Sequence, residues 1–288
     1  MDITRLNEIS GEPPVRHRRP GGWAMAILVL VLGAMAITAL VTNPGFDWGT
    51  VAAYLFDVGV VEGVWITVQL TVYAMVIGII LGVILAVLRQ SSQPIPRAAA
   101  ALYVWFFRGT PVLVQVLFWG FAAALYPRLG LGIPWGPQFV SWDTNSLIPF
   151  FAAAVIGLGL NEAAYMAEIV RGGLLSVPAG QSEAAYALGL GHTATLRQVV
   201  LPQAVRVIIP PIGNQTISML KMTSIVLVIG VMDLLGSVTQ IYSRNYRQIP
   251  MLIVASLWYL AMTTVLTFLQ TRLERRLARG AHTTTRTS

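Results

Sequence analysis

The chain has 288 residues, 56% of them apolar and 11% charged, with 19 basic and 12 acidic residues and a net charge of +7. That is too apolar for a soluble domain and fits a multi-span membrane protein. All the cations but one are arginines clustered at the ends of apolar runs, so the positive charge reads as a topology signal rather than a nucleic-acid footprint.

Residues 1–22 are polar, carry Arg16, Arg18 and Arg19, and read as a disordered cytoplasmic tail. The apolar run from Trp23 to Val41 is long enough for an extra N-terminal membrane helix, assigned to 23–42; a cleaved signal peptide is the rival reading and would leave five spans. A second span is expected over Glu62 to Leu88, with Gly78 and Gly82 at GxxxG spacing, which points to close helix packing, with simple backbone tolerance as the alternative. The third, Ala98 to Tyr126, should kink at Pro111. Pro127 to Leu147 reads as a long outside loop. Spans four to six follow over Ile148 to Val170, Pro202 to Met232 and Met251 to Gln270, the fifth broken at Pro210-Pro211 and the last stopped by the basic tail 272–288. The fold expected is all-α integral membrane, with six transmembrane helices: the N-terminal extra helix and a five-helix core within residues 43–271. Fourteen basic residues lie on the proposed inner side against three outside, which puts both termini in the cytoplasm.

Between spans four and five lies the polar, glycine-broken stretch 178–202. Ser182 is suited to cap a helix bearing Glu183, Gly189 or Gly191 to end it in a left-handed turn, and Thr193 to cap a second short helix that leads to Pro202. Glu183-Ala184-Ala185, then Gly189, then Leu201-Pro202 at these offsets resembles the EAA loop of bacterial ABC importer permeases, with Val199 where isoleucine is usual. Arg108-Gly109-Thr110-Pro111, Ala167 to Gly173, Pro210-Pro211 and Lys221-Met222-Thr223-Ser224 widen the resemblance to the polar amino acid uptake branch of that family, although Met222 stands where that branch commonly has aspartate. The resemblance implies an ATPase-coupling role for Glu183, Ala184, Ala185, Gly189, Leu201 and Pro202. It also implies two cytoplasmic ABC ATPase subunits carrying the ATP and magnesium, a second permease chain, identical or related, and an extracytoplasmic substrate-binding protein. The location implied is the bacterial inner (plasma) membrane.

The chain contains no G-x-x-x-x-G-K-[ST] and so binds no ATP through a P-loop, and no cofactor of its own is expected. Its three histidines, His17, His192 and His282, are far apart, no metal site is expected, and nothing matches a serine-hydrolase pattern. Ionisable groups within spans are costly and mark candidate functional sites: Arg108, Glu162, Glu168 and Lys221. For Arg108, Glu168 and Lys221 the competing reading is ion pairs that pin helix to helix, and for Glu162 it is a protonated, structural carboxylate. Asn161 and Glu162 fall near the middle of span four. A half-helix beginning after Pro211 would present free N–H groups at Gly213 and Asn214, with Ser218 and Lys221 further along. The substrate site expected is therefore Asn161, Glu162, Gly213, Asn214, Ser218 and Lys221, with Glu162 receiving an ammonium and the half-helix a carboxylate. A polar seam between two permease subunits is the alternative for the residues of span five. An ion-gradient-driven carrier or channel is the alternative function.

Overall fold

The computed structural model describes residues 20–133 and 138–278. The N-terminal unit, which ends at Trp48, contains α1 (Pro20–Thr42) and a 3₁₀ turn (Pro44–Phe46); Trp48 Nε1 donates to Leu40 O at 3.0 Å and the Trp48 and Phe46 rings stack. Asn43 starts the turn by accepting from Gly45 N through its side chain.

In the second unit, from Gly49 onward, the order is α2 (Trp48–Tyr54), α3 (Val58–Arg89), α4 (Pro94–Gly109), α5 (Val112–Gly120), α6 (Ala122–Leu125), β1 (Arg128–Gly132), β2 (Gln138–Asp143), α7 (Thr144–Leu147) and α8 (Phe150–Leu175). Then come α9 (Ala179–Ala187), α10 (His192–Thr195), a π segment (Leu196–Val200), α11 (Leu201–Met222), a 3₁₀ segment (Thr223–Ile229), α12 (Leu234–Asn245) and α13 (Gln248–Ala278). Five stretches are long and apolar enough to cross a bilayer: Trp23–Thr42, Val58–Arg89, Phe150–Leu175, His192–Ile229 and Gln248–Leu277. The pair α4 and α5 passes the same test only as one broken span, bent by 99°.

The centre of the second unit is the pair α3 and α8, and the contacts between them fix its direction. A Cβ on Gly78 would come within 2.7 Å of Glu162 Cγ, one on Gly82 would overlap Met166 Cβ, and Arg89 pairs with Glu168. Residue numbers rise together on both helices, so they run parallel and share a C-terminal end. Small residues allow this approach because backbone can then touch backbone, the main source of association between helices in lipid. The GxxxG spacing therefore does mark a packing seam. α11 runs the opposite way: Ile208 lies against Gly173 near the shared C-terminal end and Gln215 reaches Glu162 in the middle. The common core of these helices, shared with α5 and the 3₁₀ segment, includes Leu70, Ala74, Val116, Leu158, Met219 and Val226. A second core of Val51, Val60, Leu234, Val238, Met251 and Val254 joins α2, α12 and α13 to the N-terminal half of α3.

Several expectations are corrected here. The third span is no kinked helix; it turns nearly at right angles after Gly109, because Pro111 takes away the N–H that Phe107 O would accept and holds Thr110 extended. The expected long loop at 127–147 contains an antiparallel hairpin, with Leu129 opposite Trp142 and Leu131 opposite Val140; Pro134, Trp135 and Pro137 lie outside the described residues. Span five is unbroken at Pro210-Pro211, and α13 continues helically through Arg272, Arg275 and Arg276 to Ala278. The tails 1–19 and 279–288 are likewise outside the described residues.

Candidate functional site

Polar side chains meet at three levels between the helices. At the level where α3 and α8 end, Glu168 binds three arginines: Arg89 from α3, Arg171 one turn on in α8 at 2.7 Å, and Arg108 from α4 at 4.0 Å. Arg108 also lies over the Tyr165 ring, 5.4 Å from its centroid. One carboxylate thus ties three helices together, which is the helix-pinning reading of Glu168 and Arg108. From α13, Gln270 donates to Asn214 Oδ1 at 3.0 Å, Pro210 O at 3.3 Å and Glu274 Oε1 at 2.8 Å.

The middle level holds Asn161 and Glu162, which as adjacent helical residues point in different directions. Asn161 Nδ2 donates to Phe107 O at 2.9 Å and to Gln115 Oε1 at 3.1 Å, while Gln115 Nε2 donates to Phe107 O and to both oxygens of Thr110. Two amides therefore satisfy the carbonyl that Pro111 leaves without its helical partner, as a buried acceptor requires. Gln115 is a residue the sequence reading missed. Its signal was present: it is the amide one turn after the proline. Glu162, 2% exposed, is pressed against Gly78, and Gln215 Nε2 donates to its carboxylate at 3.1 and 3.4 Å.

At the opposite end, fully buried Asp233 starts α12 by accepting from Gly236 N at 2.9 Å, and Tyr259 donates its hydroxyl proton to the other oxygen at 3.2 Å. Leu234 N donates to Thr67 Oγ1 at 3.0 Å, closing this end onto α3. Burial pushes the Asp233 carboxyl up to about 6 against the opposing pull of these hydrogen bonds.

The expected substrate residues are not gathered into one pocket. Asn161 braces the elbow between α4 and α5, and Glu162 faces Gln215. Gly213 lies under the Gln270 side chain, which a Cβ there would meet at 2.6 Å. Asn214 is exposed beside Gln270, Ser218 is half-buried, and Lys221 stands on the rim of a groove of about 470 Å³ with Ser224, Ser256, Tyr259 and Thr263. The half-helix start expected at Gly213 and Asn214 is absent, because α11 passes through both prolines. Neighbouring helices hold it on either side of them, by Gly173 and Glu162 of α8 and by Gln270 of α13.

The stretch 178–202 forms two helices, with different boundaries from those expected. α9 begins after Pro178, so Ser182 lies inside it rather than capping it, and Gly191 rather than Thr193 precedes the second helix. Gly189 has φ +83°, Leu190 N donates to Ala185 O at 3.1 Å and Gly189 N to Tyr186 O at 2.9 Å. This is a Schellman end, and it requires the left-handed residue that glycine supplies without strain. Ala185 is buried, whereas Glu183, Ala184, Leu201 and Pro202 are exposed and Leu188 is 83% exposed. The Tyr186 hydroxyl lies 3.1 Å from His192 Nδ1 and links the two helices.

Helices of spanning length, a broken span and polar groups buried between them define a polytopic membrane protein. The family model described as "binding-protein-dependent transport system inner membrane component" matches residues 78–279, and the chain belongs to that family of ABC permease membrane subunits. It is 45% identical over 270 residues to the arginine transport system permease protein ArgU of Corynebacterium glutamicum, covering 93% of this chain and 83% of that protein. To the octopine transport system permease protein OccM of Rhizobium radiobacter it is 35% identical over 232 residues, 81% of this chain and 89% of the relative. A crystal structure of an amino acid ABC transporter with histidines superposes with a TM-score of 0.65 at 35% identity, covering 76% of this chain and 94% of that one.

Proposed function

We propose that this chain is the permease subunit of an ATP-driven importer of amino acids, and that the helix pair at 178–202 couples it to a separate cytoplasmic ABC ATPase. The observation that carries the coupling role is the Schellman turn at Gly189, which leaves Glu183, Ala184 and Leu188 exposed on a tightly built corner. The amino acid class is supported by the names of the relatives and of the solved transporter. The assembly proposed has two ATPase copies that carry the ATP and magnesium, a second permease chain, and a binding protein on the outer face. The chain would sit in the inner membrane with both termini in the cytoplasm. ATP-driven closure of the ATPases would then act as a rigid-body push on this loop.

For translocation, Glu162 is proposed to receive the ammonium or a cationic side chain of the substrate once Gln215 moves aside. The half-helix is withdrawn as carboxylate receptor. Asn214, Ser218 and Lys221, at helical spacing on α11, are proposed in its place as a polar stripe facing the route between two permease chains. A zwitterion leaving water needs both kinds of partner, since an unpaired charge in the bilayer costs several kcal/mol.

The test is reconstitution with the ATPase and candidate binding proteins. ATP hydrolysis should rise when a binding protein is loaded with its amino acid. Glu162→Gln should lower uptake and leave that stimulation in place, because the loop is untouched. Uptake driven by an ion gradient without any ATPase would overturn the coupling role; unchanged uptake in Glu162→Gln would remove Glu162 from the route.

A further inference from the structure

The hairpin β1–β2 has two unlike faces. Side chains alternate across a strand, and the ladder places Leu129 opposite Trp142 and Leu131 opposite Val140. These four share one face, and every one is apolar. The other face carries Arg128 opposite Asp143 and Gly130 opposite Ser141, and Phe139 is the unpaired residue at the register shift between Leu131 and Gly132. Most of the apolar face is uncovered: Leu131 is 68% exposed, Val140 48% and Trp142 45%, while Leu129 is half-buried. A two-stranded sheet with one apolar face must bury that face on something.

Its position in the fold favours lipid. α3 and α8 run parallel, so the start of α8, where the hairpin feeds in, lies at the end away from the 178–202 loop. Thr144 N donates to Pro127 O at 3.0 Å and Thr144 Oγ1 to Tyr126 O, which closes the two roots of the hairpin together at that end. Exposed apolar side chains continue along the chain on both sides, with Leu125 and Tyr126 before the first strand and Leu147 and Phe150 after the second. The apolar face is thus flanked in the chain by further exposed apolar side chains, up to Phe150 at the start of the spanning helix α8. Tryptophan and tyrosine favour the level where hydrocarbon gives way to headgroups, and an amphipathic element lies there with its apolar face down.

We infer that the β1–β2 hairpin lies flat on the membrane and inserts Leu129, Leu131, Val140 and Trp142 into the interface of the leaflet opposite the 178–202 loop. A binding protein or a second permease chain is the competing occupant. Because the chain has no cysteine, single spin labels report without background. Leu131→Cys and Val140→Cys are compared with Gly130→Cys and Ser141→Cys in the full chain in phospholipid vesicles. Collision with oxygen should be higher, and collision with a water-soluble nickel chelate lower, at 131 and 140 than at 130 and 141. Equal nickel access at all four positions would overturn the inference. Loss of both oxygen and nickel access at 131 and 140 would also overturn it, because it marks burial against protein.

Discussion

Replacing Gly82 by alanine tests the parallel pair at the centre of the unit. A methyl group at 82 would overlap Met166 Cβ and come within 3.0 Å of the Ala167 backbone nitrogen. The obstacle is the root of a fully buried side chain together with helix backbone, which no rotamer change relieves. Overpacking of this kind costs about 1–3 kcal/mol, and the rigidity of the neighbour puts Gly82→Ala toward the upper end. Gly172, in α8 itself, has nothing within 4 Å of such a methyl, so Gly172→Ala gains the helix propensity of alanine, about 1 kcal/mol. Reversible unfolding of the full chain in mixed micelles should therefore separate the two variants by about 2–4 kcal/mol. In a Met166→Gly background, which removes the atom struck, the penalty of Gly82→Ala should shrink. Equal stability of Gly82→Ala and Gly172→Ala, or a penalty unchanged by Met166→Gly, would refute the close approach.

Gly189→Ala meets no atom within 4 Å but must hold φ +83°, at about 1–2 kcal/mol for an L side chain. Stimulated ATP hydrolysis should fall in Gly189→Ala and recover partly in Gly189→Asn, and identical behaviour of the two would count against a conformational role. Glu168→Gln leaves Arg89, Arg108 and Arg171 without their shared anion; a loss of about 1–3 kcal/mol in unfolding free energy, smaller in high salt, is expected. Asp233 has a folded-state pKa near 6 against an ordinary 3.8, so the native chain holds this proton more tightly than the unfolded one. Its contribution favours folding below about pH 4 and is lost as pH rises through about 6. Asp233→Asn keeps an acceptor for Gly236 and should flatten that part of the stability profile; a profile unchanged by the substitution would sink the assignment.

Wherever composition and local backbone rules decide the outcome, the sequence was a sufficient guide. The apolar runs follow from composition, the left-handed turn is narrowed to Gly189 or Gly191, and the spacing of Gly78 and Gly82 permits the close seam without requiring it. Where the outcome depends on a partner distant in the chain, local rules misled. Two consecutive prolines argue for a broken helix, yet α11 continues through them as one helix with α8 and α13 packed against it. A single proline at 111 argues for a kink, yet the chain turns by 99°, because Gln115 and Asn161 are there to take up the orphaned Phe107 carbonyl. Asn161 and Glu162 look like one constellation in the sequence. The helical angle between neighbours sends one to the elbow and the other to Gln215. The hairpin escaped notice because its strands are short and the first carries two glycines, Gly130 and Gly132.

The second helix of the 178–202 stretch is not a separate body. From His192 the chain runs as helix through the π segment and α11, and the whole stretch to Ile229 extends over 38 residues, which at 1.5 Å each is about 57 Å, well beyond the roughly 30 Å of a hydrocarbon core. A force applied near His192 is therefore applied to one end of a lever whose shaft carries Gln215 past Glu162. The shaft has few places to yield: the widened π turn at Leu196–Val200, and Gly230 with φ +83° at the far end. On the coupling role proposed above, a push near His192 would reach the Gln215–Glu162 contact along this one helical stretch, with no second element needed to relay it.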